Sequence, residues 1–344
     1  LIKSNPLLTN LLKETIGESF IKHPTDLENF KYHLDDSNVL DKLSEIKQYN
    51  KQKLADEIYK NQGIVVNPNS IFDVQVKRIH AYKRQTLNCL RIMDLYNRLI
   101  ENPNLDIVPR TFIFGGKAAP GYYLAKNTIE LICKIADVVN NDKRVNDKMK
   151  VVMMENYKVS LAEIIIPATD LSEQISTTTK KASGTYNMKF MMNGAVTMAT
   201  LDGANIEIKD EVGEDNIIIF GMNAEEVLKY YNYGGYSALD VCNSNMRLKN
   251  VTNDLINGKY CSDKNRFKSI YENLVTYNDE FCVLKDFESY ITAQDYVNDI
   301  YMDTDKWQKM CGVNIAHSGI FSSDRTITEY ATGIWGSTVM YKNL

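Results

Sequence analysis

A phosphate-binding pattern stands ahead of a lysine in the stretch KKASGTYNMKFMMNG, residues 181–195. Small residues at the start of a helix leave backbone N–H groups free, and these groups attract anions together with the positive end of the helix dipole. Thr185 and Lys189 are one i, i+4 step apart, so both side chains share a helix face about 6 Å apart along the axis. This spacing predicts a cofactor held by its phosphate near Gly184–Thr185 and by an amine at Lys189.

Lys189 itself has two interpretations. An exposed lysine is usually only a solvated charge. Lys189, however, lies within the otherwise apolar run MKFMMNG. Because a buried lysine is costly unless it is paired or used covalently, the apolar run favours a buried lysine with a chemical role.

A second candidate site is the basic stretch VKRIHAYKRQ, residues 76–85, just beyond a predicted strand. Its two pairs of cations, Lys77–Arg78 and Lys83–Arg84, suit a phosphate or another oxyanion at a strand-to-helix turn. A solvated basic face is the alternative and stays open. Nucleic-acid contact is a weaker hypothesis, since neither an aromatic platform nor a basic stripe extends the cluster.

Three further loops offer weaker signals. Gly115–Gly116 ends a predicted strand and could approach a phosphate, but the sequence is neither G-x-G-x-x-G nor a Walker motif, and a tight turn without a ligand stays open. Tyr157, in ENYKVSLAE, could line the mouth of a pocket or pack internally. The stretch TLDGANIEI, residues 200–208, is either a loop that supports the site or a turn at Gly203 between two strands.

The composition is that of an ordinary globular protein: 344 residues, 44% hydrophobic and 24% charged, with a net charge of −4. This charge argues against a dedicated nucleic-acid or membrane-surface protein. Six scattered cysteines without a CxxC pair predict reduced thiols and no metal site. Without a signal peptide or a bilayer-spanning run, a cytoplasmic location is expected. The first residue is leucine, which suggests a piece of a longer protein.

The elements that must position these residues follow an α/β pattern. Residues 1–68 read as a helical lead-in, residues 69–221 as a Rossmann-like core, and residues 222–344 as a helical C-terminal part of the same domain. Strands alternating with helices predict a mostly parallel sheet. The strands are predicted at IFDVQVKR, RTFIFGG, KVVMMEN and NIIIFG; helices are predicted at KAAPGYYLAKNTIELICKIADVV, at SLAEIII and after a cap at Ser322 or Ser323.

Taken together, these stretches resemble the α-1,4-glucan phosphorylases, the family of glycogen and starch phosphorylases. The resemblance covers nearly the whole chain and rests on many ordered motifs. They are FDVQVKRIHAYKRQ, GGKAAPGY, ENYKVSLAE, DLSEQIS, ASGTYNMKFMMNG, LDGANIE and SSDRTI.

The resemblance implies the C-terminal, Rossmann-like domain of a GT-B glycosyltransferase fold. That fold has two such domains facing across a cleft, and nothing in this chain matches the N-terminal one. Because the last helix of the family packs toward that domain, we expect Ile327, Tyr330 and Ile334 to be exposed here. A full-length protein of this family is usually a homodimer.

The resemblance also implies an activity and a cofactor. The family breaks down α-1,4-glucan with inorganic phosphate to give glucose 1-phosphate, using the phosphate of pyridoxal 5'-phosphate as a proton shuttle. Lys189 matches the lysine that forms the Schiff base, and Arg78 and Lys83 match residues that bind the phosphates. The remaining matches are Lys77, Gly184, Thr185 and Tyr157 at the cofactor, and Ser183 and Gly184 at the sugar.

The sequence departs from the family at several of these positions. Lys181 replaces a glutamate that accepts hydrogen bonds from sugar hydroxyls, and an ammonium can only donate. Tyr186 replaces a glycine, and TTTKK, residues 177–181, lacks another. Ala81 and Lys158 are milder changes, for a glutamate and an arginine. The alternative hypothesis is therefore a degenerate homologue that keeps the fold or cofactor for a binding or regulatory role without turnover.

Overall fold

A single parallel sheet runs through the computed structural model, which describes residues 1–145, 147–180 and 184–338. Six strands form it within these residues. They are β1 (Ile71–Val76), β2 (Arg110–Gly115), β3 (Met149–Met154), β4 (Leu171–Gln174), β5 (Val196–Ala199) and β6 (Ile218–Ile219).

The strand order is β3-β2-β1-β4-β5-β6, and every pairing is parallel. The direction of winding therefore reverses between β1 and β4, which pair through Asp73 with Leu171 and Val74 with Ser172. In doubly wound sheets, ligands bind outside the carboxyl ends of the strands at this reversal. The predicted mostly parallel α/β fold is confirmed.

Helices cover both faces of the sheet. The fourteen α-helices of the described residues are α1 (Pro6–Ile16), α2 (Ser37–Gln62), α3 (Gln85–Glu101), α4 (Tyr123–Asn141), α5 (Val159–Ala168), α6 (Tyr186–Met192), α7 (Ala204–Val212), α8 (Ala224–Tyr233), α9 (Ala238–Ser244), α10 (Met246–Asp254), α11 (Lys268–Tyr271), α12 (Phe287–Met302), α13 (Thr304–Ala316) and α14 (Ser323–Glu329). Within those residues, no helix is both long and apolar enough to cross a membrane.

Alternate side chains of the buried strands enter two different cores. Phe112 and Phe114 of β2 belong to the larger core under α3 and α4, whereas Ile113 belongs to the smaller core under α2 and α5. A strand buried on both faces needs apolar residues at consecutive positions. This requirement explains the consecutive apolar residues 112–114 of β2 and 151–154 of β3.

The helical segments at both ends pack into the same body. Leu12 and Phe30 of the lead-in share a core with Ile315 of α13, and Phe287 and Tyr290 of α12 lie in the larger core beside the sheet. The predicted helical character of residues 1–68 is confirmed. The division into three parts at residues 68 and 221 stays a prediction.

The end of the described chain agrees with two expectations. The Ser322 hydroxyl accepts a hydrogen bond from the Arg325 backbone N–H at 3.3 Å, which confirms a cap at the start of α14. Ile327, Tyr330 and Ile334 are 55%, 46% and 68% exposed. This face is therefore open to solvent in the described part of the chain.

Other sequence expectations were wrong in detail. The helix predicted directly after β2 begins only at Tyr123, because Pro120 disfavours helical backbone at the residue before it. Gly203 precedes helix α7 and does not lie between two strands. Strands β4 and β5 were not predicted at all.

A buried ion pair ties the lead-in to the sheet. The Lys51 Nζ of α2 lies 2.6 Å from Asp170 Oδ2, and both side chains are 2% exposed. The same carboxylate oxygen accepts a hydrogen bond from the Phe72 backbone N–H of β1 at 2.8 Å. Asp170 therefore joins α2, β1 and the start of β4 at one point.

Replacing Lys51 with methionine should lower the free energy of unfolding by about 3–5 kcal/mol, because Asp170 would stay buried without its cation. Denaturant unfolding measures this loss. The matched control is Lys42→Met, which breaks an ion pair with Glu14 whose side chains are 53% and 61% exposed. The control should cost less than about 1 kcal/mol. Equal losses in the two variants would contradict the role given to Lys51.

Candidate functional site

A cavity of about 420 Å³ opens where β1 and β4 end, at the reversal of the sheet. Its described lining residues are Lys77, Tyr82, Lys83, Gln174, Ser176, Gly184, Thr185 and Tyr186. A second cavity, of about 520 Å³, lies at the opposite edge, where β1, β2 and β3 begin. The smaller cavity is the candidate site, because ligands of such sheets bind at the carboxyl ends of the strands.

Lys77 is the first residue after β1 and spans the gap to β4. Its Nζ donates to the Glu173 carbonyl at 2.6 Å and to Gln174 Oε1 at 3.0 Å. Both acceptors belong to the last two residues of β4. Strand β4, the neighbour of β1 in the sheet, thus holds the Lys77 ammonium at the point where the winding of the sheet reverses.

Gly116 lies against the backbone of Lys77. A Cβ atom at this position would stand 2.0 Å from the Lys77 carbonyl oxygen, and the residue has φ of +153°. Only glycine allows this approach. Of the two interpretations of Gly115–Gly116, the tight packing of backbone on backbone therefore explains Gly116 without a ligand.

Lys83 and Arg78 place two positive charges at the site. The Lys83 ammonium is half-buried, and burial, followed by the nearby Arg78 charge, lowers its pKa. Arg78 is exposed, and only Lys83 of this pair lines the cavity. Among the described residues neither cation has a carboxylate partner, and an anionic ligand would relieve their repulsion.

Arg84, the fourth cation of the basic stretch, has a structural role. Its side chain is fully buried, with Nη1 2.6 Å from Asp286 Oδ2 and Nε donating to the Ile175 carbonyl at 2.7 Å. The interpretation of both cation pairs as ligand contacts is therefore wrong for Arg84. It anchors the loop after β1 to the chain that leaves β4.

A backbone bond joins the same two loops beside the cavity. The Thr177 N–H donates to the Tyr82 carbonyl at 2.8 Å, and the Thr177 hydroxyl donates to the Phe281 carbonyl at 2.9 Å. The walls of the cavity that carry Tyr82 and Ser176 are thereby fixed relative to each other.

Gly184 and Thr185 reach the cavity at the start of α6, as the sequence predicts. The Lys189 backbone N–H donates to the Thr185 carbonyl at 3.3 Å, which confirms the i, i+4 relation. Helix α6 has only seven residues, so its dipole is short, and the cations contribute most of the positive potential. Lys181 and Ser183 lie outside the described residues.

Lys189 is exposed, so the expectation of a buried lysine is wrong. Helical spacing turns Asn187, Phe190 and Met191 into the protein and leaves Lys189 on the outer side. Its Nζ lies 5.5 Å from the centre of the Tyr186 ring. Of the described residues, Tyr186 lines the cavity whereas Lys189 does not.

Tyr157 packs behind Tyr186. The two ring centres are 6.5 Å apart, and both side chains pack against the smaller core. Burial, together with the neighbouring Tyr186 hydroxyl, raises the pKa of Tyr157. Of the two interpretations of Tyr157, internal packing is the one that its contacts describe. Within the described part of the site, its ring contact is with Tyr186.

Three lining residues were not assigned a role from the sequence. Tyr82 lies inside the basic stretch, Gln174 is the last residue of β4, and Ser176 follows that strand. The signal that could have found the last two was the position of DLSEQIS at the end of a strand, but that strand was not recognised.

The geometry defines a class: a doubly wound α/β domain with a cationic ligand site at the reversal of its parallel sheet. The family model for carbohydrate phosphorylases matches residues 1–337. The chain therefore belongs to the carbohydrate phosphorylase family.

Several relatives support this membership over almost the whole chain. A glycogen phosphorylase of Bacillus subtilis is 52% identical over 98% of this chain and 42% of its own length. The liver form of human glycogen phosphorylase is 49% identical over 97% of this chain and 39% of its own length. The Chlamydia pneumoniae glycogen phosphorylase is 48% identical over 96% of this chain and 40% of its own length. The chain thus spans about 40% of the length of these relatives.

Thr179 lies at the edge of the site, within the stretch that lacks a family glycine. Its φ is +77°, a left-handed conformation that β-branched residues rarely adopt. Its backbone N–H donates to Asp202 Oδ1 at 3.0 Å, which fixes this conformation. Thr179 therefore holds a backbone geometry suited to glycine while it carries a β-branched side chain.

Replacing Thr179 with glycine should raise the free energy of unfolding by about 1 kcal/mol, because relief of the strain outweighs the added freedom of the unfolded chain. Denaturant unfolding measures the gain. Thr179→Ala removes the branch but keeps a Cβ atom, so this variant should show only part of that gain in the free energy of unfolding. A gain in the alanine variant equal to that in the glycine variant would show that the conformation is not strained by its Cβ atom.

Proposed function

We propose that this chain is the cofactor-binding part of an α-1,4-glucan phosphorylase, a glycosyltransferase that uses pyridoxal 5'-phosphate. The single observation that supports this most is the family match over residues 1–337, since it includes the whole cationic cavity. The names of the relatives make glycogen the model substrate. We place the reaction in the cytoplasm, where thiols such as the six free cysteines stay reduced.

The donor set of the cavity fits a phosphorylated cofactor. Lys77 and Thr185 both line it and offer an ammonium and a hydroxyl, and Gly184 allows close approach of the backbone. Lys189, whose Nζ lies 5.5 Å from the centre of the Tyr186 ring, supplies the amine for covalent attachment. When bound, the cofactor supplies a phosphate that donates and accepts a proton beside the substrate phosphate.

Arg78 and Lys83 bind the inorganic phosphate in this proposal. Phosphorolysis breaks the bond between the glucosyl C1 and the leaving oxygen, forms a bond from C1 to phosphate, and moves the proton of the phosphate to that oxygen. The two cations hold the phosphate against the repulsion of the cofactor phosphate and stabilise the charge that develops on it. Burial of Lys83 strengthens this interaction, because water screens it less.

The whole reaction needs more than this chain in our proposal. The relatives are about two and a half times as long, so we infer that a second domain closes the cleft over the glucan and that the complete protein forms a homodimer. The exposed side chains of Ile327 and Ile334 support a further contact there, since large apolar groups favour burial.

Reduction with borohydride after incubation with pyridoxal phosphate tests the cofactor site. We expect one phosphopyridoxyl group on Lys189, located by peptide mass mapping, because the cations of the cavity concentrate the phosphate beside that amine. Lys189→Arg should abolish the adduct, whereas Lys60→Arg at the end of α2 should not. Labelling spread over surface lysines would contradict the site and favour a homologue that keeps the fold without turnover.

Tyr186→Gly should increase the affinity for pyridoxal phosphate about tenfold, or roughly 1.4 kcal/mol, because the ring fills part of the cavity wall close to the Lys189 amine. Fluorescence titration of the cofactor measures the change. Tyr186→Phe keeps the ring and should leave the affinity unchanged. Weaker binding in the glycine variant would show that the Tyr186 ring supports the cofactor.

A further inference from the structure

A buried polar cluster lies within the sheet next to the cavity but takes no part in lining it. Asp73 of β1 and Glu173 of β4 stand at its centre, with relative exposures of 1% and 0%. The charged and polar groups that face them are Arg110 of β2, Arg91 of α3, and Tyr290 and Gln294 of α12.

One oxygen of Asp73 and one oxygen of Glu173 lack a hydrogen-bond donor among the described residues. Asp73 Oδ2 accepts from Arg110 Nη1 at 3.3 Å, and Glu173 Oε1 accepts from Gln294 Nε2 at 2.7 Å. Asp73 Oδ1 and Glu173 Oε2 are buried, and no described N–H or O–H is placed to donate to them with good geometry. A hydrogen bond between these two oxygens would satisfy both of them.

Two ionised carboxylates cannot form that bond, because neither carries a proton to donate. Such a bond therefore requires one carboxyl of the pair to be protonated. Arg110 pairs with Asp73, and Arg91 also favours its charge, whereas the partners of Glu173 are uncharged apart from Asp73 itself. The proton consequently belongs to Glu173.

The electrostatics agree with this assignment. Burial, and then the Asp73 charge, raises the pKa of Glu173 well above its usual range, while the Tyr290 hydroxyl and Gln294 oppose the shift. Burial also raises the pKa of Asp73, but Arg110 and Arg91 oppose it. Two negative charges in one site that excludes water repel each other, and this repulsion favours the neutral form of one carboxyl.

We propose that Glu173 is a neutral carboxyl that shares its proton with Asp73, and that this bond positions Lys77 by fixing β4 against β1 at the cavity. The backbone carbonyl of the same Glu173 accepts the Lys77 Nζ, so the strand position decides where that cation stands. Glu173 is thus a positioning residue. The part that concerns Lys77 as a phosphate contact rests on the proposed function; the shared proton does not.

The pH dependence of folding tests the shared proton. Because the folded-state pKa of Glu173 is above its unfolded value, the folded state holds an extra proton, and stability is lost as pH rises toward the folded-state pKa. Between pH 5 and 7, above the ordinary unfolded value of about 4.3, we expect the folding equilibrium constant to fall by up to about tenfold per pH unit more steeply in the wild type than in Glu173→Gln. The glutamine amide replaces the proton donor and does not titrate.

Glu163→Gln, at an exposed ion pair with Lys3, is the matched control and should keep the wild-type slope. An unchanged slope in Glu173→Gln would place the proton elsewhere. If the variant did not fold, a wild-type constant that stayed equal from pH 5 to pH 7 would contradict the extra proton.

Calorimetry with inorganic phosphate tests the positioning role. Glu173→Gln should keep the wild-type affinity, and Glu173→Leu, which lacks the bond to Asp73, should lose at least about tenfold. Loss in the glutamine variant, or full affinity in the leucine variant, would overturn that role. Failure of the wild type to bind phosphate would contradict the proposed function and the positioning role, but the pH slopes would still decide the shared proton.

Discussion

The pairing of β1 with β4 is the constraint on which the rest of the structure depends. It is short, with two residue pairs in register, yet the winding of the sheet reverses there and the cavity opens there. Side-chain bonds extend the junction at both ends. Asp170 receives the Phe72 backbone N–H at the start, and Lys77 donates to the backbone of Glu173 at the end. The rigidity of a ligand site at such a reversal is therefore set by the pairing of β1 with β4.

Buried charges give the junction its specificity. Lys51 with Asp170, Asp73 with Arg110, and Arg84 with Asp286 lie around the same two strands, and each pair is nearly inaccessible to water. Pairs of this kind contribute little net stability, but breaking one is costly, so they disfavour other strand pairings. Arg78 and Lys83 differ from these residues, because neither has a carboxylate partner in the part of the chain that the structure describes, and their charge is left for a ligand.

The sequence was sufficient for the fold class, four of the six strands and the start of α6, because apolar runs and small residues are local signals. Strand β4, LSEQ, could not be predicted from such signals: its polar residues are buried only because distant partners on β1 and α12 satisfy them. The exposure of Lys189 likewise depends on which face of α6 packs inward. Motif order identified the family, whereas the burial of Arg84 required the position of Asp286, about two hundred residues away in sequence.

A crystal structure of the chain grown with pyridoxal phosphate would test the central claim that the β1–β4 junction builds the cofactor site. We expect the phosphate of the cofactor in the cavity of about 420 Å³, in contact with Lys77 and Thr185, and the cofactor ring directed toward Lys189. A phosphate in the cavity at the amino ends of the strands, between Arg110 and Lys148, would contradict it. So would a cofactor bound only to surface lysines.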